Sequence, residues 1–167
     1  MLNRTLLPLL LAGCLAACGF HLRGPASLPA VLKQTHIKGV AEFDPLRLEL
    51  KRVLTNAGAQ VLPADVKTPA AIVISNVNYA RRVLSVDAQG RAAEYALNYS
   101  FIFQVNDASA KILVPRQQIR ISRDFRFDPN AVLAKDSEEQ QIRTEMIRQS
   151  VRLLMRRVDA TMQQKQP

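Results

Sequence analysis

The chain has 167 residues, and its 23 lysine and arginine residues outnumber 14 aspartate and glutamate residues, which gives a formal net charge of +9. This length suits one domain with a sizeable core. Two cysteines and two histidines leave little material for a metal cluster or a histidine-based catalytic site, and the positive charge favours an anionic partner.

The N-terminal segment has the pattern of a bacterial lipoprotein leader. Arg4 precedes an apolar run from Leu6 to Leu15, which is long enough for a signal-peptide core and too short to span a bilayer. The run ends in Leu15-Ala16-Ala17-Cys18. We expect residues 1–17 to be removed as a signal peptide and Cys18 to carry an N-acyl group and an S-linked diacylglycerol. The alternative is an ordinary secretory signal with a chance cysteine.

This anchor changes what the positive charge means. Several acyl chains on one cysteine hold a protein to a membrane durably. Gly19 follows the cysteine, and a glycine there, unlike an aspartate, gives no inner-membrane retention signal. We therefore expect an outer-membrane protein on the periplasmic side that meets anionic lipids and polysaccharides, with no nucleic acid among its partners. No cofactor is expected beyond the covalent lipid.

A tether and a first helix follow the anchor. Residues 18–34 form the lipidated N-terminus and the tether, and a single α+β domain spans 35–162. A first short strand is predicted from Thr35 to Val40. Asp44-Pro45 marks a helix start, with the aspartate as N-cap. The apolar stripe at helical spacing is Leu46, Leu50, Val53, Leu54 and Ala57, and Gly58 suits the end of the helix.

Three long strands are predicted next. The first runs from Ala71 to Val86, and Gln89-Gly90 closes a hairpin into the second. One face of the second strand is Tyr95, Leu97, Tyr99, Phe101, Phe103 and Val105. After a turn at residues 106–109, a third strand alternates Ile119, Ile121, Phe125 and Phe127 with polar residues. Arg123 interrupts this apolar face, and it indicates a bulge, a strand end or a ligand-facing cation.

A long basic helix closes the domain. Ser137-Glu138-Glu139-Gln140 matches a capping box, and residues 163–167 form a polar tail. The predicted order is β-α-β-β-β-α. It indicates an α+β fold with two helices packed on one face of a four-stranded, mostly antiparallel or mixed sheet.

No catalytic motif is present, and we therefore expect a non-enzyme. The cationic side chains are then the candidates for function. Glu138 and Glu139 are assigned to the positive end of the helix dipole. Arginine suits phosphate because its planar group donates two hydrogen bonds at once. The alternative for each cation is a solvated face that serves solubility. The candidates on or beside the strands and the last helix are Arg81, Arg82, Arg91, Arg123 and Lys135.

Three motifs resemble a known family, the LPS-assembly lipoproteins (LptE, formerly RlpB). Residues 18–23 read Cys-Gly-Phe-His-Leu-Arg, which resembles the family's mature N-terminus. Residues 93–95 read Ala-Glu-Tyr at the entry to a strand. Phe127-Asp128-Pro129 and the Leu-Ala-Lys-Asp at 133–136 precede the last helix. The motifs occur in the family's order across nearly the whole mature chain.

The resemblance implies a non-enzymatic lipoprotein that sits as a 1:1 plug within the lumen of the LPS-translocating β-barrel LptD and binds lipopolysaccharide. Lys135 matches the family's Leu-Ala-Lys lysine and is the first candidate for LPS contact. Arg91 is the second, although it follows the turn glycine, Gly90, where the family carries a basic residue before it. Arg81, Arg82 and Arg123 are weaker candidates. The alternative is a non-catalytic scaffold lipoprotein of the envelope that binds protein or peptidoglycan.

Overall fold

The described part of the chain comprises residues 28–63, 66 and 70–164 of a computed structural model. The predicted signal peptide, Cys18 and most of the tether lie outside these residues, as do residues 165–167 of the tail. No helix among the described residues is long and apolar enough to cross a membrane.

Five strands and two helices make up the fold. A 3₁₀ turn at Ala30–Lys33 leads into β1 (Gln34–Lys38), which is followed by α1 (Pro45–Asn56) and the two-residue β2 (Gln60–Val61). The long strands are β3 (Ala70–Val86), β4 (Ala92–Asp107) and β5 (Ile112–Arg126). The last helix is α2 (Val132–Gln163).

The sheet is mixed, with the order β2-β1-β3-β4-β5. β1 pairs in parallel with β2 and with β3, whereas β3, β4 and β5 form an antiparallel meander. β1 pairs with β3 only from Ala70 to Val73. The rest of the meander therefore extends beyond β1 as a long three-stranded ribbon that ends at the β3–β4 turn.

Both helices pack on one face of this sheet, which confirms the predicted α+β architecture. The predicted apolar face of β4 is buried from Leu97 to Val105. In α1, Leu46, Leu50 and Leu54 are fully buried. Asp44 is the N-cap, because its Oδ1 accepts a hydrogen bond of 2.8 Å from the Leu46 N–H.

Three details differ from the sequence-based predictions. The sheet has a fifth strand, β2, which is too short to leave a periodic pattern. β5 begins at Ile112, seven residues before its first predicted position. α2 begins at Val132 with Ala131 as N-cap and no side-chain cap, so the capping box predicted at residues 137–140 is wrong and those residues lie inside the helix.

The register of β5 narrows the explanations for Arg123. Leu97 pairs with Arg123 within a regular stretch that runs from Glu94/Arg126 to Phe103/Gln117. Arg123 is therefore neither at a bulge nor at the strand's end, and two of the three predicted explanations are wrong. Its side chain belongs to the helix-covered face, because directly paired residues of antiparallel strands share a face and its partner Leu97 is buried there.

Candidate functional site

The turn between β3 and β4 is held by one carboxylate. Asp87 Oδ1 accepts hydrogen bonds of 2.9 Å from the backbone N–H groups of Gln89 and Arg91, and its Oδ2 accepts one of 2.8 Å from Arg91 Nε. Gly90 completes the turn with a φ of +76°. The Arg91 N–H is the largest cause that lowers the pKa of Asp87 below its ordinary value. Arg91 is thus placed at the hairpin end with its charge already paired.

Lys135 lies in the first turn of α2, at the same end of the molecule. Its Nζ donates a hydrogen bond of 2.7 Å to Glu138 Oε2 and lies 5.6 Å from the centre of the Phe125 ring. Only 21% of the lysine side chain is exposed. The ring and the carboxylate therefore fix the direction of this ammonium group, unlike that of a solvated surface lysine.

The hairpin end and the start of α2 form the two sides of an open cleft of about 400 Å³. Two cations line it, Lys135 and Arg126, together with two carboxylates, Asp87 and Asp128. Arg126 is 83% exposed at its side chain and lies 3.4 Å from Glu94. The remaining lining residues are Ala92, Ala93, Phe127 and Pro129.

Exposed apolar side chains are concentrated around this end. Leu133, two residues before Lys135, is 85% exposed, which is unusual for leucine. The other large exposed apolar residues here are Val83, Leu84, Val86 and Val132. We call this surface, with the cleft, the hairpin-end surface. It offers apolar contact and fixed cations side by side, which suits an amphiphile that carries phosphate or carboxylate groups.

Arg81 belongs to a network that ties β3 to α2. Glu139 accepts a hydrogen bond of 2.7 Å from Tyr79 Oη and one of 3.0 Å from Arg81. Arg81 also lies 4.5 Å from the centre of the Tyr95 ring, and Arg143 lies 4.7 Å from that of Tyr79. Burial, followed by the bond to Glu139, raises the pKa of Tyr79 well above its ordinary value.

This network corrects the role predicted for Glu139. It lies in the second turn of α2 and holds the helix to the sheet, and α2 has no acidic residue in its first turn. No local pattern predicts this contact, because Tyr79 and Arg81 lie 60 and 58 residues before Glu139 in the chain.

Arg82 and Arg123 lie away from the cleft. Arg82 pairs with Ala96 in the sheet, and it is exposed on the face that the described helices leave uncovered. Arg123 donates a hydrogen bond of 2.6 Å to Gln149 Oε1 on α2. The structure thus brings Lys135 and Arg91 to one end of the molecule and places Arg81 in the network between sheet and helix. Arg82 lies apart from Lys135, Arg91 and Arg81.

Metal-binding groups and histidines are few at the hairpin-end surface. No cluster of three histidine, cysteine, aspartate or glutamate side chains that could hold a metal occurs among the described residues. Of the two histidines, His36 lies in β1, where its Nδ1 is 3.0 Å from the Leu62 carbonyl oxygen. His21 and Cys18 lie outside the described residues.

Comparisons with known proteins agree on one family. The family model described as lipopolysaccharide-assembly, LptE, matches residues 32–158. A protein of Photorhabdus laumondii named LPS-assembly lipoprotein LptE is 30% identical over 143 residues, which is 86% of this chain and 78% of the relative. A protein of the same name from Pectobacterium atrosepticum is 29% identical over 150 residues, with 86% and 77% covered.

Solved structures give the same fold. The solution structure of an uncharacterized lipoprotein B from Nitrosomonas europaea matches with a TM-score of 0.70 and 30% identity, over 85% of this chain and 91% of that one. The crystal structure of rare lipoprotein B from Shewanella oneidensis matches with a TM-score of 0.66 at 23% identity, over 77% and 95% of the two chains.

Proposed function

Because the chain belongs to the LptE family of lipopolysaccharide-assembly lipoproteins, we propose that its hairpin-end surface binds lipopolysaccharide. Lipid A joins phosphates to several acyl chains. Lys135 and Arg126 would meet the phosphates, and the exposed apolar side chains around them would meet the proximal parts of the acyl chains. The observation that carries this proposal is the placement of a partly buried lysine in one cleft with the hairpin turn.

The proposed role is non-catalytic. Cys18, acylated, would hold the chain to the inner leaflet of the outer membrane, and residues 18–34 would connect this anchor to the fold. The partner would be the LptD-type barrel, within whose polar lumen the domain would sit as a 1:1 plug. LPS bound at the hairpin-end surface would be separated from its aggregates and delivered to the barrel.

Binding of purified LPS to Lys135→Glu tests the site. The substitution reverses the charge of a residue that lines the cleft, and it should weaken binding on the order of tenfold, which corresponds to about 1.4 kcal/mol. Lys111→Glu is the matched control, because Lys111 lies beside the β4–β5 turn at the opposite end of the three-stranded meander and its reversal changes the net charge equally. Equal loss in both variants would mean that LPS responds only to net charge and would remove the cleft from the proposal.

Co-purification tests the partner. The native chain, extracted from outer membranes in mild detergent, should bring a large β-barrel with it in a 1:1 ratio. Recovery with peptidoglycan or with a different envelope protein, and no barrel, would favour the scaffold alternative. Lys135→Glu should leave the barrel complex intact, because the proposal assigns this residue to LPS.

A further inference from the structure

A second amphiphilic surface lies on the helix layer, at the start of α1. Phe43, just before the N-cap, is 85% exposed, and Leu48, on the outer side of α1, is 50% exposed. Leu48 points away from the core because the buried stripe of this helix is formed by Leu46, Leu50 and Leu54. A lone exposed leucine is ordinary, but an almost fully exposed phenylalanine beside it forms a projecting apolar pair. We call Phe43 and Leu48 the α1 ridge.

The α1 ridge stands between two shallow apolar clefts. On one side, a cleft of about 200 Å³ is lined by both ridge residues together with Val61 and Leu62. On the other side, a groove of about 210 Å³ between the helices is lined by Leu48, Pro45 and Ile147. The apolar surface therefore continues on both sides of the ridge.

Cations surround this apolar surface. Arg47 and Lys51 line the first cleft, and Arg52 and Arg148 line the second. Glu42 and Glu49 are the carboxylates among the lining residues, so the positive charges outnumber the negative ones by four to two.

The pairing of these cations leaves positive charge available. Arg52 pairs with Glu49 at 2.6 Å, and Arg148 pairs with Glu145 at 2.7 Å. Arg47 donates to the Ile37 carbonyl oxygen at 2.5 Å, which orients its guanidinium group without neutralising it. Lys51 has no hydrogen bond or ion pair with any residue that the structure describes. Arg52, and less strongly Arg148, lower the pKa of Glu49, as expected in a positive environment.

We propose that the α1 ridge and its surrounding cations form a docking surface for an anionic phospholipid bilayer. Phe43 and Leu48 would enter the boundary between headgroups and acyl chains, and the long stems of Lys51 and the arginines would let their charges reach the phosphates. Charge complementarity identifies the occupant, because a two-residue ridge with cations on both sides matches a negatively charged interface. The proposal stands apart from LPS binding at the hairpin-end surface.

The expected lipid anchor explains why such a small surface would matter. A chain already held at the membrane meets the bilayer at a high effective concentration, so a weak contact is enough to set its orientation. Before the domain enters the barrel, the α1 ridge would fix which side of the domain faces the leaflet.

Tryptophan fluorescence tests this proposal directly, because the chain contains no tryptophan. Phe43→Trp places a single indole on the α1 ridge, and Leu133→Trp places one at a site that is also 85% exposed but belongs to the hairpin-end surface. Each full-length variant, with its native N-terminus, is reconstituted into vesicles of mixed phosphatidylglycerol and phosphatidylcholine. The emission at position 43 should shift to the blue and be quenched by brominated phosphatidylglycerol, whereas position 133 should remain in water.

A charge reversal separates specific docking from adhesion. Lys51→Glu in the Phe43→Trp background should weaken the response by at least about fivefold, because removal of one cation near an anionic surface already has that effect and the reversal also adds a negative charge. Vesicles of phosphatidylcholine alone should give little response. The proposal is overturned if position 43 stays in water on anionic vesicles, responds equally to neutral ones, responds no more than position 133, or responds only when LPS or a protein is added.

Discussion

Two glycines with the same backbone conformation allow a substitution test of how closely the chain approaches β3 where it leaves β1 for the helix layer. Gly39 ends β1 and Gly58 ends α1, and both have a φ of +86°. Their surroundings differ. A Cβ atom at Gly39 would lie 1.9 Å from the Ile74 carbonyl oxygen, whereas a Cβ at Gly58 would have no atom within 4 Å. Gly39 therefore lets the chain leave the sheet in contact with the backbone of β3.

The difference in cost follows from these surroundings. Alanine at either position pays about 1–2 kcal/mol for the left-handed conformation, and about 0.4–1 kcal/mol is recovered because the unfolded chain has less freedom. Gly58→Ala should thus lower the free energy of unfolding by about 1 kcal/mol. Gly39→Ala adds a clash with backbone, for which overpacking costs of about 1–3 kcal/mol apply, so its total should be about 2–4 kcal/mol.

Thermal unfolding followed by circular dichroism measures both effects. For a domain of this size, about 1 kcal/mol corresponds to a change in Tm of about 3–5 °C. We expect Gly58→Ala to lower the Tm by about that amount and Gly39→Ala to lower it by on the order of 10 °C. Equal shifts would refute the reasoning, because they would mean that Gly39 is free to move away from Ile74 at no cost.

Three further outcomes are expected. In a double-mutant cycle measured by urea unfolding, Glu139→Gln and Tyr79→Phe should show a coupling of about 1–2 kcal/mol, because a charged acceptor strengthens their hydrogen bond; additivity would contradict the network. The lowered pKa of Asp87 means that this carboxylate stabilises the fold above its unfolded pKa and loses that effect as the pH falls through the lowered folded pKa. Asp87→Asn should therefore flatten the loss of stability as the pH falls below the ordinary pKa of an aspartate, and an unchanged slope would exclude a stabilising role for this carboxylate. In LPS binding, Arg126→Gln should reduce affinity more than Arg91→Gln, and the reverse order would show that the turn cation dominates.

Sequence patterns predict a structural element correctly where the contacts that form it join residues close together in the chain. Asp44-Pro45 correctly predicted the start of α1, because an N-cap bonds to a backbone group two residues away. The alternation in β4 correctly predicted its buried face, because a strand's two faces follow directly from its period of two. The start of α2 was mispredicted, since Ala131 has no side-chain cap there and the favourable helix formers at residues 133–135 extend the helix toward its N-terminus.

Contacts between distant residues could not be predicted from the sequence. Tyr79, Arg81 and Glu139 are unremarkable in their own segments, and only the packing of α2 across the ribbon brings them together. The strand β2 could not be predicted from the sequence either, because its two residues are recognised as a strand only by their pairing with β1. The hydrogen bond from Arg123 to Gln149 could not be predicted either, because it depends on which turn of α2 lies above Arg123.

The ion pairs at the hairpin-end surface suggest how LPS phosphates would compete for its cations. Arg91, Arg126 and Lys135 each lie within 3.4 Å of a carboxylate, so a phosphate must displace or share that partner. Exposed ion pairs contribute little stability, typically about 0–1 kcal/mol, which keeps the cost of exchange small. Arg126 is the most exposed of the three and has the longest pair distance, whereas Arg91 also belongs to the turn that its Asp87 holds together. Arg126 should therefore be released first, and Lys135, which lines the same cleft while paired with Glu138, supplies the second charge to which the phosphate is drawn.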